Sequence, residues 1–288
     1  MKILRTGVLL ILMSALLVLA GGAIGGQNGL KIALAIAVLM NGISYFYSDK
    51  IALASSGAQP VSREQLPRLY QVMERLAAKA NIPVPRLYLI PEAAPNAFAT
   101  GRNPKHASVA VTQGLLELMN DEELEGVIAH ELSHVRNYDI LTSSIAATMA
   151  AAITYLASMG RWAMLFGGFG RDRDDDREGG GIAALLMIFL APLAALLLQL
   201  FLSRTREYSA DETGARMVGQ PYGLISALQK LGAYNQRVPT TMVSPSTAAL
   251  CIVKPLFGNG TLNTMFSTHP PLEARIKALR EMTVVPQR

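Results

Sequence analysis

Long runs without a single charged side chain constrain this sequence more than any other feature, because about twenty apolar residues in a helix match the roughly 30 Å hydrocarbon core of a bilayer. No charge falls between Arg5 and Lys31, and none between Lys31 and Asp49. With Gly21 to Gly29 as a glycine-rich turn between them, the two runs read as a hairpin of transmembrane helices. A cleaved signal peptide starting at Lys2 and Arg5 would have a shorter apolar run and no second one directly behind it, so both are read as retained anchors. Ile140 to Gly160 and Gly179 to Ser203 are also long enough to span. Ile182 to Leu202 is the more apolar of the two. The earlier run carries Thr142, Ser143, Ser144, Thr148 and Thr154, which need partners in lipid, and it also fits an apolar helix packed against protein. Between these runs, Arg171 to Glu178 is a solvated charged loop.

The remaining composition narrows the classes further. Apolar residues make up 51% of the chain and charged residues 16%, which is not the balance of an ordinary soluble enzyme. The net charge of +5 is spread along the chain with no nucleic-acid module beside it. Anionic lipid headgroups are the simpler partner for it, and no nucleic acid is expected. Cys251 is the only cysteine, so no intramolecular disulfide forms, in keeping with a reducing compartment.

Between Asp49 and Asp139 the pattern is that of a globular α+β segment. Leu66, Leu69, Val72, Met73, Leu76 and Ala80 lie at helical spacing, ended by Asn81 and Pro83. Arg86 to Ile90 and Ser108 to Thr112 read as strands, and Pro95 to Gly101 as a third. An exposed edge there, at Asn96, Ala97 and Phe98, would suit an extended peptide that pairs as an added strand, although a plain structural strand explains the same residues equally well.

His130-Glu131-Leu132-Ser133-His134 sets two of the four histidines four positions apart, on one helical face, where both can grip one metal ion. A catalytic Zn²⁺ takes three protein ligands and keeps its fourth position open. Glu131, about 100° round the helix from His130, is placed as a general base for water polarised by such an ion. The pattern carries meaning only on a helix, and the residues before it build one. Asn120 or Asp121 is the N-cap, Asp121, Glu122 and Glu123 fill the first turn, and Leu124, Val127, Ile128, Leu132 and Val135 follow at helical spacing.

A third ligand has to come from another helix. Glu207 and Asp211, four apart in Ser203 to Glu212, share a face, so one can bind the ion while the other orients a ligand histidine. A helix start lined with arginine and glutamate pairs accounts for the same residues as well. His106 sits in a polar turn with Asn103, Pro104 and Lys105 and reads as a surface residue. His269, ahead of Pro270 and Pro271, fits the entry to an amphipathic helix through Ile276 and Leu279.

Taken together, the N-terminal apolar hairpin, Pro95 to Ala99, His130 to Asp139, Ser203 to Asp211 and Thr268 to Ile276 resemble the HtpX group of bacterial membrane zinc endopeptidases, relatives of the membrane CAAX prenyl endopeptidases. The resemblance covers nearly the whole chain. It implies a gluzincin-type site with one Zn²⁺ per chain held by His130, His134 and Glu207, Glu131 as general base, and Asp211 behind the ligands. It also implies that His269 lies near the metal and donates to the developing oxyanion.

The fold expected is α+β and mostly helical, an integral membrane protein of about four hydrophobic helices with a zinc-peptidase domain built around a small sheet. Its parts would be a transmembrane hairpin at 1–48, the first half of the peptidase domain at 49–141, a second hydrophobic pair at 142–203 with the charged loop 171–178, and the rest of the domain at 204–288. His134 and Glu207 can share an ion only if an even number of crossings separates them, which two spans or none satisfies. Lys2 and Arg5 against the lone Lys31 favour an inner-membrane, multi-pass chain whose site faces the cytoplasm. The activity expected is hydrolysis of damaged or misfolded membrane proteins in quality control and stress response. Specific processing of lipidated or short peptides is the alternative, and a non-catalytic zinc-stabilised membrane scaffold is a further one.

Overall fold

The structure, a computed structural model, describes residues 2–145, 204–237 and 270–282. The expected hydrophobic pair falls mainly on 146–203, and that part, with its charged loop, lies outside the described residues, as does His269.

Helix α1 (Lys2–Ser55) does not run straight. Asn41 Nδ2 donates to Ser14 Oγ over 2.8 Å, although 27 positions of continuous helix would part them by about 40 Å. The chain therefore doubles back, and Gly26 sits at the reversal with φ +57°, a backbone angle that glycine adopts without penalty. Gly21 packs against Gly29 and Ala33, so closely that a Cβ there would collide. Small residues are what let two helical arms approach. The second arm, Gly26–Ser55, is long and apolar enough to cross a membrane, and Leu10–Leu19 in the first arm is a shorter apolar helix. Ile36, Val38, Leu39 and Ile43 point outward while Ala33 and Ala37 are buried. One such spanning helix is found among the described residues, against the four expected along the whole chain.

Four short strands follow: β1 (Gln59–Pro60), β2 (Arg86–Ile90), β3 (Ala97–Gly101) and β4 (Ala107–Thr112). They form one mixed sheet in the order β1-β2-β4-β3, with β2 parallel to β4 and β3 antiparallel to it, so β3 is an edge. Helix α2 (Pro67–Ala80) closes on Asn81 in the left-handed region, as the sequence anticipates. After the short α3 (Gln113–Leu118), α4 (Asp121–Arg136) starts with a capping box. The Asn120 side chain accepts from the Glu123 N–H, and the Glu123 carboxylate accepts from the Asn120 N–H, each over 2.9 Å. That carboxylate also accepts from Ser226 and Lys230, which ties the start of α4 to α6 (Tyr222–Arg237).

Helices α5 (Arg204–Val218), α6 and α7 (Leu272–Glu281) complete the described domain. One core joins Leu69, Met73 and Leu76 of α2, Val109 and Val111 of β4, Leu124, Ile128 and Leu132 of α4, Leu228 of α6 and Leu279 of α7. A second, smaller cluster sets Ala52 and Leu53 of α1 against Ile90, Phe98 and Ala110 on the sheet, so the end of the apolar hairpin is packed directly on the strands.

Candidate metal centre

Helix α4 carries the two histidines and α5 carries the carboxylate that meets them. On α5, Glu207, Ala210, Asp211 and Gly214 recur at helical spacing and are all buried against α4. Gly214 is required by the approach: a Cβ there would stand 3.0 Å from the His130 main-chain nitrogen and 3.1 Å from the Ala129 carbonyl carbon. The absent side chain lets α5 come close enough for Glu207 to reach both rings.

Nε2 of His130 and Nε2 of His134 are 3.2 Å apart, with the rings edge to face. Glu207 Oε2 lies 3.6 Å from the former and Glu207 Oε1 3.7 Å from the latter. Donors 2.0–2.2 Å from one tetrahedral ion stand about 3.3–3.5 Å from each other, so these spacings fit a single Zn²⁺. Two lone-pair nitrogens 3.2 Å apart repel unless a proton or a cation lies between them, and nitrogen and carboxylate oxygen together are a donor set that zinc accepts. Among the described residues these three form the one group of histidine, cysteine or carboxylate ligands close enough to share an ion.

Behind the ligands stands a second set of charges. Nδ1 of His130 is 2.9 Å from Asp211 Oδ1, and Arg275 of α7 grips Asp211 with both prongs, Nε to Oδ2 at 2.8 Å and Nη2 to Oδ1 at 2.7 Å. Arg275 Nη1 lies 3.6 Å from Glu207 Oε2. Asp211 thus stands between the His130 ring and the Arg275 guanidinium. Burial pushes its pKa up, but the Arg275 charge and hydrogen bonds outweigh burial and hold the carboxyl below its ordinary range. Burial disfavours a charged His130, yet the Asp211 and Glu207 carboxylates prevail and raise it to about 9 in the absence of an ion. His134 has a looser counterpart, with Asp139 Oδ2 at 3.6 Å from its Nδ1.

Arg275 and Asp139 were not singled out from sequence as site residues. A signal for Arg275 was there: it falls within the apolar stripe Leu272, Ile276 and Leu279 of α7, and it is 1% exposed. An arginine on a buried face calls for an acidic partner. Asp139 follows the turn at Tyr138, whose left-handed φ of +60° bends the chain back toward His134.

Glu131 faces the sheet. Its Oε2 accepts the Ala99 N–H over 2.8 Å, and burial raises its pKa against the pull of His130 and His134. The same bond orients β3. Thr112 N–H donates to the Asn96 carbonyl and Phe98 pairs with Ala110, so the alternation along the strand turns the main-chain groups of Ala97 and Ala99 away from β4, toward the side where α4 brings Glu131. Of the three residues expected to hold a peptide, Asn96 joins β4 through its backbone and Phe98 buries its ring against Leu53 and Ala52. Of the three, Ala97 alone turns its main-chain groups away from β4, and it too is buried. His106 is exposed, bonds to Asn103 and is not part of the histidine and carboxylate cluster.

The Peptidase family M48 model matches residues 62–283. The chain belongs to that family. Protease HtpX homologs of Syntrophobacter fumaroxidans, Aquifex aeolicus and Pyrococcus furiosus are similar to this M48 chain. The first is 52% identical, with 96% of this chain and 98% of that protein covered. The second is 50% identical with 93% and 89% covered, and the third 49% with 97% and 96%. The crystal structure of S. mikatae Ste24p shares the fold, with a TM-score of 0.53 at 20% identity, over 86% of this chain. This chain spans 57% of that structure's length. This M48 protein is a metalloprotease of the membrane, as its family, the HtpX likeness and the His130, His134 and Glu207 cluster agree.

Proposed function

We propose that this metalloprotease is a zinc endopeptidase of the cytoplasmic membrane that hydrolyses membrane proteins which have lost their native packing. The observation that carries the reading is the convergence of His130, His134 and Glu207 on one point, with the buried Glu131 carboxylate between that point and the edge of β3.

When bound, zinc supplies a Lewis acid that polarises a carbonyl and brings the pKa of water to about 7. His130, His134 and Glu207 would hold it. Glu131, whose pKa burial raises, acts as general base on the attacking water and then as the acid that protonates the leaving amine. Asp211 and Arg275 keep the His130 ring and Glu207 aimed. The edge groups of Ala97, with Asn96 and Phe98 fixing the strand, align an extended peptide by strand addition. His269 adds a donor to the developing oxyanion.

The hairpin at 1–48 tethers the two halves of the peptidase domain, 49–141 and 204–288, which raises their effective concentration toward chains in the same membrane. With the hydrophobic pair at 142–203 the chain is multi-pass and its site faces the cytoplasm. Quality control follows from that placement and from a peptide-binding edge that reads backbone rather than side chains.

Cleavage of casein by detergent-purified protein tests the reading, comparing wild type and Glu131→Gln, each stripped of metal and then resupplied with zinc. Zinc-dependent cutting by wild type alone is the expected result. Cutting that survives Glu131→Gln, or zinc binding by both proteins with no cutting by either, would overturn it, and the latter would bring a structural zinc site forward.

A further inference from the structure

The end of the apolar hairpin and the substrate edge are built as one rigid piece, and the joints between them set a height. Tyr45, Phe46 and Tyr47 are exposed near the end of the second arm, with Ser44 and Ser48 buried on the opposite side. Lys50 lies over the Tyr47 ring at 5.2 Å, and Arg102, just past the end of β3, over the Phe46 ring at 5.9 Å. Aromatic rings with lysine and arginine beside them, at the end of an apolar span, are the composition of a membrane–water boundary. Exposed Lys105 and His106 stand in the same β3–β4 turn, and Arg86 at the start of β2 pairs with Asp49 at 3.5 Å.

Two contacts give the direction of β3 relative to this boundary. Arg102 meets Phe46, and Phe98 packs against Leu53. Phe46 to Leu53 is a rise of about 10 Å along a helix, and Arg102 back to Phe98 about 13 Å along a strand, so the two run antiparallel side by side. A third joint agrees: in the helical residues 139–145 beyond the metal helix, Ser144 Oγ is 2.7 Å from Thr100 Oγ1 and accepts from the Gly101 N–H. Ala99, whose N–H holds Glu131, is three residues from Arg102, hence about 10 Å above the aromatic level.

We infer that the ring and cation belt of Tyr45, Phe46, Tyr47, Lys50 and Arg102 sits at the lipid headgroups and acts as a ruler, so that the preferred substrate is a membrane-anchored chain cut in its juxtamembrane segment. A peptide paired with β3 lies along the membrane normal and needs about three extended residues to climb from the interface to Glu131. This rests on the peptidase reading above and adds the substrate's position to it.

The test uses the full chain with zinc in vesicles of phosphatidylethanolamine and phosphatidylglycerol. Model substrates carry one transmembrane helix followed by the same cleavable sequence, taken from a mapped casein cut, after spacers of none, about 3, about 10 and about 30 residues. The same sequence as a free peptide is the control. The expected profile peaks at the spacer of about 3, falls at least tenfold with no spacer because the chain cannot reach, and falls again, about thirtyfold by loop-closure scaling, at the longest. A Phe46→Ala, Arg102→Ala double substitution should flatten the profile while the free peptide is cut as before. Equal cutting at every spacer with the free peptide also cut overturns the ruler and leaves the peptidase intact. No cutting of any substrate, free peptide included, removes the peptidase reading and the ruler with it.

Discussion

The two histidines of the metal centre live in different surroundings. His130 is sealed inside the protein, with Asp211 at 2.9 Å and the Arg275 fork behind that carboxylate. His134 keeps 16% of its side chain exposed and has Asp139 at 3.6 Å, in a turn held by a left-handed Tyr138. One half of the site is therefore locked by a buried ion network before any metal arrives. The other half is held more loosely and is partly exposed to solvent. Rigidity on one side and access on the other is a reasonable division for a site that has to orient its ligands and still exchange products.

The largest expected effect concerns the group between the halves. Glu131→Gln should lower turnover by about 10²–10⁴-fold with zinc still bound, read by steady-state cleavage and metal analysis. Next comes the lock itself. Arg275→Met leaves Asp211 as a buried charge without its partner, and should cost about 3–5 kcal/mol in chemical denaturation, whereas Asp139→Asn should cost under about 1 kcal/mol. Equal losses would mean that the two halves are not built differently after all.

Metal affinity sharpens the contrast. Asp211→Asn should weaken zinc binding about 10–100-fold in a competition titration, and Asp139→Asn by less than about tenfold. The reverse order would show that the solvent-facing ligand is the one whose orientation matters.

The last expected effect is on pH. In metal-free protein the neighbouring carboxylates raise the folded pKa of His130 to about 9 from its ordinary 6.5. Its contribution to stability is then fully present below about 6.5 and lost as pH rises through about 9. Thermal unfolding of the metal-free protein should show Tm falling across that window, with zinc affinity climbing over the same range because the proton must leave before the metal binds. A Tm that is flat there, or one that still falls after His130→Gln, would assign the proton elsewhere.

How much of this was legible varies by element. Helix α4 was readable in full because its cap, acidic first turn, apolar spacing and both histidines are local, and the structure chooses Asn120 over Asp121 as the cap through the box with Glu123. The hairpin was readable from its uncharged runs and glycines, and the reversal falls at Gly26 inside the expected turn. Glu207 and Asp211 were visible as a pair on one face, but their surroundings decide between a ligand and a surface ion pair, and those come from α4 and α7, far away in the chain. Phe98 was read as a peptide contact, yet its ring is core; strand alternation showed that its two faces differ without saying which one α1 would cover.

Local spacing alone determined that two histidines share one helical face with a glutamate between them, the helix that carries them and the apolar hairpin, because each depends on a period of 3.6 residues or on a run of uncharged side chains. Only the tertiary structure decided which carboxylate meets the two histidines, that Arg275 stands behind it, that the Ala99 N–H bonds Glu131, and how high β3 lies relative to the aromatic belt. Those are meetings between segments tens of positions apart, and no periodicity along a chain records how closely Gly214 lets two helices approach.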